Sequence, residues 1–249
     1  MRKITVGIAA TVALIATRAL AADLAVKAPP MVPPPVFTWT GFYIGVEGGY
    51  GWGNADQTDA TGFDSGRYNV SGGLVGGTLG YNWQINQFVL GLEGDGSGAW
   101  IRGSTAGAFG GCGGAPPQCF SELQALGTFR GRVGVAFGNI LPFATGGLAV
   151  GSIHGSEGTT LAAGAVGSGS ATVAGWTVGG GLEAKLPQNW SIKAQYLYVD
   201  LGNQTIFNDT IPFPPPPAVV GQRIRFTTNI VQAGLNYKFD LGSLAMVMH

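Results

Sequence analysis

The chain has 249 residues, 44 of them glycine, with only 10% charged residues and a formal net charge of zero. Soluble domains carry about 25% charged residues, so the composition argues against an ordinary soluble surface, and the neutral balance leaves no basic footprint for nucleic acid. Mean hydropathy is +0.25, yet no run after residue 21 offers the roughly 18 apolar residues a membrane helix needs. Two architectures remain, a dry two-sheet core or a membrane barrel.

Residues 1–21 read as a secretory signal peptide. Arg2 and Lys3 supply the charged start, residues 4–16 the apolar stretch, and Ala19-Leu20-Ala21 the small-x-small cleavage pattern. Residues 22–38 contain PPMVPPPV. Proline removes backbone donors and favours extended polyproline, so this stretch reads as a periplasmic linker.

From Trp39 the chain alternates by twos. Phe42, Ile44, Val46, Tyr50 and Trp52 share one face, while Tyr43 and Glu47 share the other. A second strand carries Val75, Leu79, Tyr81 and Trp83 on its apolar face. A third carries Phe88, Leu90, Leu92 and Trp100, opposed by Glu93, Asp95 and Ser97. A fourth carries Leu123, Ala125, Phe129, Val133, Val135 and Phe137, opposed by Gln124, Thr128, Arg130 and Arg132. A fifth covers 141–153 and has no clear facial pattern. Residues 175–200 form a hairpin about Pro187-Gln188-Asn189. Trp176, Val178, Leu182, Ile192 and Tyr196 lie on one face of it, and Glu183, Lys185 and Lys193 on the other. An eighth strand ends in Val231, Ala233, Leu235, Tyr237 and Phe239, opposed by Gln232, Asn236 and Lys238. Period-two alternation across tight turns predicts antiparallel strands.

The connections decide between the two architectures. Loops at 54–68, 103–121, 154–170 and 202–222 alternate with short turns near 85–86, 138–139 and 187–189. An up-and-down barrel in an outer membrane has short periplasmic turns and long outer loops, whereas a sandwich has no reason to segregate loop length by end. The predicted fold is therefore all-β: an eight-stranded antiparallel up-and-down transmembrane β-barrel over residues 39–239, followed by a tail at 240–249. Its aromatic face looks at lipid. Trp39, Trp52, Trp83, Trp100, Trp190, Tyr196, Tyr198 and Tyr237 then read as interface girdles. Glu47, Glu93, Asp95, Arg130, Arg132, Glu183, Lys185 and Lys193 point inward, where four acids and four bases can neutralise one another, as burial demands. Eight strands leave a lumen just wide enough for side chains to fill. A crowded polar core is the first reading of that lumen, and an ion path through gaps at glycine is the second.

Fewer residues suggest chemistry. Cys112 and Cys119 are the only cysteines, and an exported chain with one close pair is expected to form one disulfide. His154 lies beside Ser152, Ser156 and Glu157 in the third long loop. It reads first as a loop histidine, and alternatively as part of an acyl-transfer set or as a haem ligand. Asp56, Asp59 and Asp64 fit no EF-hand spacing and read as a polar loop. No catalytic set, cofactor or metal is expected.

The runs ADLAVKAPP…PPPVFTWTGFYIGVEGGYGWG, GGLVGGTLGYNWQ…FVLGLEGD, GTFRGRVGVAF…LPFATGGLAVG, GWTVGGGLEAKLPQNWSIKAQYLYVDLG and VQAGLNYKF resemble, in order, the small outer-membrane β-barrel proteins often called porin-family or outer-membrane immunogenic proteins. The resemblance covers residues 22–239. It implies an OmpA-like barrel in the outer membrane of a Gram-negative cell, with a role in envelope integrity and surface contact. A narrow porin-like channel is the alternative; a haem-binding or lipid-modifying surface barrel is a further one. The implied partners are outer-membrane lipid, lipopolysaccharide and the barrel-assembly machinery. Tyr237 and Phe239 resemble the terminal signal that this machinery reads, although here the chain continues beyond them.

Overall fold

A computed structural model describes residues 37–58, 66–105, 119–157, 167–211 and 218–239. The signal peptide, the linker up to residue 36, Asp59, Asp64, Cys112 and the tail lie outside the described residues, and Cys119 is described only by its place in a strand. Eight strands follow in chain order: β1 (Gly41–Thr58), β2 (Tyr68–Ile85), β3 (Phe88–Thr105), β4 (Cys119–Val135), β5 (Ile140–Glu157), β6 (Gly167–Lys185), β7 (Trp190–Ile211) and β8 (Ala218–Phe239). Each pairs with its sequence neighbours, and β8 returns to β1, closing the barrel. Phe42 meets Phe239 and Ile44 meets Tyr237 at the closing seam. Closure leaves no unpaired sheet edge over the part of the wall where all eight ladders run, the condition for strands to cross lipid; toward the long loops the β6–β7 ladder ends at Trp176 opposite Asp200.

The short turns are built for their hand. Gln188 and Asn189 both take positive φ, 58° and 65°, as the commonest two-residue hairpin turn requires. Asn86 takes φ 55° between β2 and β3, and Gly138 φ 58° between β4 and β5.

The strands are longer than sequence periodicity indicates. They run 17 to 22 residues, against about 9–11 needed to cross a bilayer. The ladder between β1 and β8 continues to Thr58 opposite Arg223, and that between β7 and β8 to Ile211 opposite Ala218. The expected long loops thus begin as paired hairpin extensions. Small polar residues there do not mark an apolar face, so the alternation fades before the backbone pairing does.

Lipid-facing and lumen-facing residues separate cleanly over most of the wall. Val46, Leu79, Trp83, Leu92, Phe129, Leu148, Trp176, Val178 and Ile192 are exposed on the outside. The indistinct β5 resolves with Leu141, Phe143, Ala149 and Ile153 inside and Leu148 and Val150 outside. Two expected positions are corrected. Leu123 is fully buried in the lumen and Gln124 faces outward. The register shifts between Leu123 and Ala125, and a bulged residue reverses the facing of everything beyond it. Trp39 is also no part of a girdle. It is 4% exposed, tucked in before β1, and its backbone N–H donates to Gln84 Oε1 at 2.8 Å.

Candidate functional site in the barrel lumen

The lumen holds two stacked layers. The layer nearer the short turns is charged. Glu93 of β3 lies at its centre and is 1% exposed. It accepts from Arg130 Nη2 at 2.7 Å, from Lys193 Nζ at 3.1 Å and from the Tyr43 hydroxyl at 2.6 Å. The second guanidinium, Arg132, lies 3.6 Å from Glu93 and donates to Glu183 at 2.7 Å. Arg130 also reaches Asp95 at 2.7 Å, and Lys193 reaches Glu47 at 3.2 Å.

Local structure places each of these groups. Glu93 and Arg130 are direct cross-strand partners, as are Glu183 and Lys193. Directly opposed side chains start only about 4.5–5.5 Å apart at Cβ. Glycines opposite the bulky groups leave the necessary room. A Cβ on Gly80 would lie 2.4 Å from the Tyr43 ring and hydroxyl, so a side chain there would drive Tyr43 off Glu93.

In this cluster four carboxylates (Glu47, Glu93, Asp95, Glu183) meet three cations (Arg130, Arg132, Lys193). Neutral donors satisfy the remaining acceptor sites. Ser191 Oγ donates to Glu183 at 2.5 Å and Asn236 Nδ2 donates to it at 3.0 Å. Gln232 Nε2 donates to Glu47 at 3.3 Å, and the Thr128 hydroxyl donates to Asp95. The Arg132 guanidinium carbon also stacks 4.0 Å from the centre of the Phe143 ring. Lys185, expected to be the fourth base, is half-buried at the end of β6, beside the turn. Tyr43 is a member that sequence reading placed on the right face but did not assign to the network. Its signal is an inward tyrosine two pairs from an inward glutamate on one strand.

The layer nearer the long loops is apolar. Ile101, Leu123, Ile153, Leu197, Val199, Leu201, Ile224, Phe226 and Ile230 are each 2% exposed or less and form one packed cluster. Tyr68 joins them through a hydroxyl that donates to Ser121 Oγ at 2.7 Å. This corrects the expectation of a uniformly polar interior. The inward positions turn apolar above the charged layer, and the bulge beside Leu123 brings one more large side chain inside. Gly51 leaves the space Ile101 fills, since a Cβ there would lie 2.4 Å from Ile101 Cδ1.

On the short-turn side of the charged layer Trp39 is buried just ahead of β1. The preceding residue is held as well, with Lys238 Nζ donating to the Thr38 carbonyl at 2.5 Å. Tyr237 and Phe239 lie on the outer wall at the end of β8, their ring centres 5.2 Å apart, and Tyr237 meets Trp190 edge to face at 5.1 Å.

Among the described residues no group of three or more His, Cys, Asp or Glu has metal-binding geometry. His154 is not a loop residue. It lies in β5 and faces outward, with Nδ1 2.9 Å from Ser170 Oγ of β6. The side chains of Ser156 and Glu157 lie outside the described residues. Asp56 lies in β1 opposite Arg225 of β8.

The sequence profile described as "Outer membrane protein beta-barrel domain" matches residues 8–239. The 31 kDa outer-membrane immunogenic protein of Brucella melitensis is 36% identical over 247 residues, covering 93% of this chain and 98% of that protein. The 25 kDa outer-membrane immunogenic protein of Brucella abortus is 30% identical, covering 89% and 91%. The 22 kDa outer membrane protein of Rhizobium leguminosarum is 30% identical, covering 82% and 80%. Among solved structures, outer membrane protein OprG from Pseudomonas aeruginosa aligns with a TM-score of 0.46 at 10% identity, covering 83% of this chain and 99% of that one.

Proposed function

Because the chain belongs to the outer-membrane β-barrel family and resides in the outer membrane of a Gram-negative cell, we propose that it acts as a closed-lumen barrel contributing to envelope structure and surface contact, with no reaction carried out in its lumen. One observation carries the reading: the lumen is filled by the buried Glu93 cluster and, toward the long loops, by the packed apolar cluster around Phe226. An ion leaving the charged layer meets a mainly apolar layer, whose few buried polar groups, among them Tyr68 and Ser121 bonded to each other, do not replace its hydration shell, which is costly. The aromatic outer wall supports contact with lipid, and the paired strand extensions beyond it support contact with lipopolysaccharide. Tyr237 and Phe239, at the closing strand's end, are the residues we assign to recognition by the assembly machinery.

A narrow porin-like path is the second reading. It is favoured by Arg130 Nε and Nη1, Ser97 Oγ and Gln195 Oε1, which are buried without a protein hydrogen-bond partner and so call for water. Conductance of the purified protein in planar bilayers separates the two. The closed-lumen reading expects no steady current above the bare membrane. A steady open-state current that changes on Arg130→Ala establishes the path instead.

A further inference from the structure

Four polar residues stand in one straight row across the outer wall. Arg102 of β3 is directly opposite Glu122 of β4, Glu122 is opposite His154 of β5, and His154 is opposite Ser170 of β6. Arg102 Nη2 lies 3.1 Å from Glu122 Oε1, and His154 Nδ1 lies 2.9 Å from Ser170 Oγ. The row faces away from the lumen. Arg102 is the next outward residue beyond Trp100, and Ser170 shares a face of β6 with Trp176, nearer the long loops. The row therefore rises from the outer aromatic girdle at Arg102, two residues beyond Trp100, through the level of lipid headgroups toward the long loops at Ser170, six residues beyond Trp176.

A serine within hydrogen-bond reach of a base, with a third group beside that base, is the general arrangement of an activated nucleophile. We infer that Ser170 is a nucleophile toward acyl esters of outer-leaflet lipid, with His154 as its base and Glu122 and Arg102 as positioning residues. In the tautomer this role needs, Ser170 donates its hydroxyl proton to Nδ1 and the neutral ring carries its one proton on Nε2. Cross-strand opposition starts Glu122 about 4.5–5.5 Å from His154 at Cβ, on the side away from Ser170. Arg102 holds the carboxylate in place.

The reaction balances with water as co-reactant. Ser170 Oγ attacks the ester carbonyl carbon while its proton passes to His154. The bond to the headgroup oxygen then breaks, and that oxygen takes the proton from His154, leaving the acyl group on Ser170. Water attacks this acyl-serine, giving its proton to His154, which returns it to Ser170 as the fatty acid departs. Nothing in this chemistry uses the lumen, so its failure would leave the closed-lumen reading untouched.

The test uses the full chain folded into vesicles of phospholipid and lipopolysaccharide, with folding checked by heat-modifiable gel migration. Labelling by a fluorophosphonate probe and release of free fatty acid are followed together. Wild type should label and release fatty acid. Ser170→Ala should abolish labelling, and His154→Asn should slow release by about a hundredfold or more, the usual contribution of a general base. Glu122→Ala should lower kcat with KM unchanged, Glu122→Asp should restore most of it, and Ser152→Ala on the same wall should behave as wild type. A folded wild type that neither labels nor releases fatty acid, or that labels no more than Ser170→Ala, overturns the inference.

Discussion

The two layers of the lumen solve the same packing problem by opposite means. The lower layer fills its space with Arg130, Arg132, Lys193 and the acids that pair with them. The upper layer fills an equivalent cross-section with Ile101, Leu123, Leu201 and Phe226. Hydrophobic contact is non-directional, so each apolar side chain contributes on its own, about 1.5–3 kcal/mol on full burial. Buried charges gain their keep only as a complete set. Desolvation takes back most of the Coulombic gain, and one missing partner strands the rest. The comparison teaches that the lower layer is the less forgiving of the two, though not the more strongly stabilising.

Substitutions can break or sharpen that contrast. The largest effect is expected from Glu93→Ala, which strands Arg130, Lys193 and the Tyr43 hydroxyl at once. It should cost about 4–5 kcal/mol, the upper part of the range for breaking a buried charge set, read from urea unfolding in lipid vesicles by tryptophan fluorescence. Replacing Glu93, Arg130 and Lys193 together by apolar residues of similar volume should cost much less than Glu93→Ala alone. A triple variant as unstable as the single one would show that the charges stabilise by more than mutual compensation.

In the upper layer Ile101→Ala should cost about 3 kcal/mol by loss of burial and a residual cavity, in the same assay. Its effect should add to that of Leu201→Ala only in part, because both border one packed cluster. A loss above that of Glu93→Ala would reverse the contrast.

Gly80→Ala tests the lower layer through its space rather than its charge. The added methyl displaces Tyr43, leaving Glu93 short of one donor, at about 2 kcal/mol for overpacking. Combining Gly80→Ala with Tyr43→Phe should recover little, since the ring still occupies the space, and Tyr43→Ala should recover only part, since the added methyl also lies 2.7 Å from the Leu92 carbonyl oxygen. The smallest effect belongs outside both layers. Asn86→Ala, at a positive-φ turn position, should cost about 1 kcal/mol and leave the lumen unchanged.

Much of this was legible in the sequence. Lipid on one side and a polar interior on the other impose strict alternation, so Phe42, Ile44, Val46 and Trp83 could be placed outside, and Glu47, Glu93, Arg130 and Glu183 inside, from spacing alone. Alternating loop lengths supplied strand number and topology. The partners within the charged layer were less accessible. Parity says which residues face inward but not which heights coincide across a tilted, staggered ladder. Glu93 therefore appears as one charge among eight in sequence and as the centre of the cluster only in space.

What the sequence by itself determined is the barrel, its strand number and which residues of most strands face the lumen, because a period-two pattern is a local property that survives without tertiary information. Only the tertiary structure decided the rest. A bulge at Gln124 turned Leu123 inward, burial ahead of β1 took Trp39 out of the girdle, and the register of β3 through β6 lined up Arg102, Glu122, His154 and Ser170. Each depends on register between strands distant in sequence, and a shift of one residue moves a side chain to the other side of the wall.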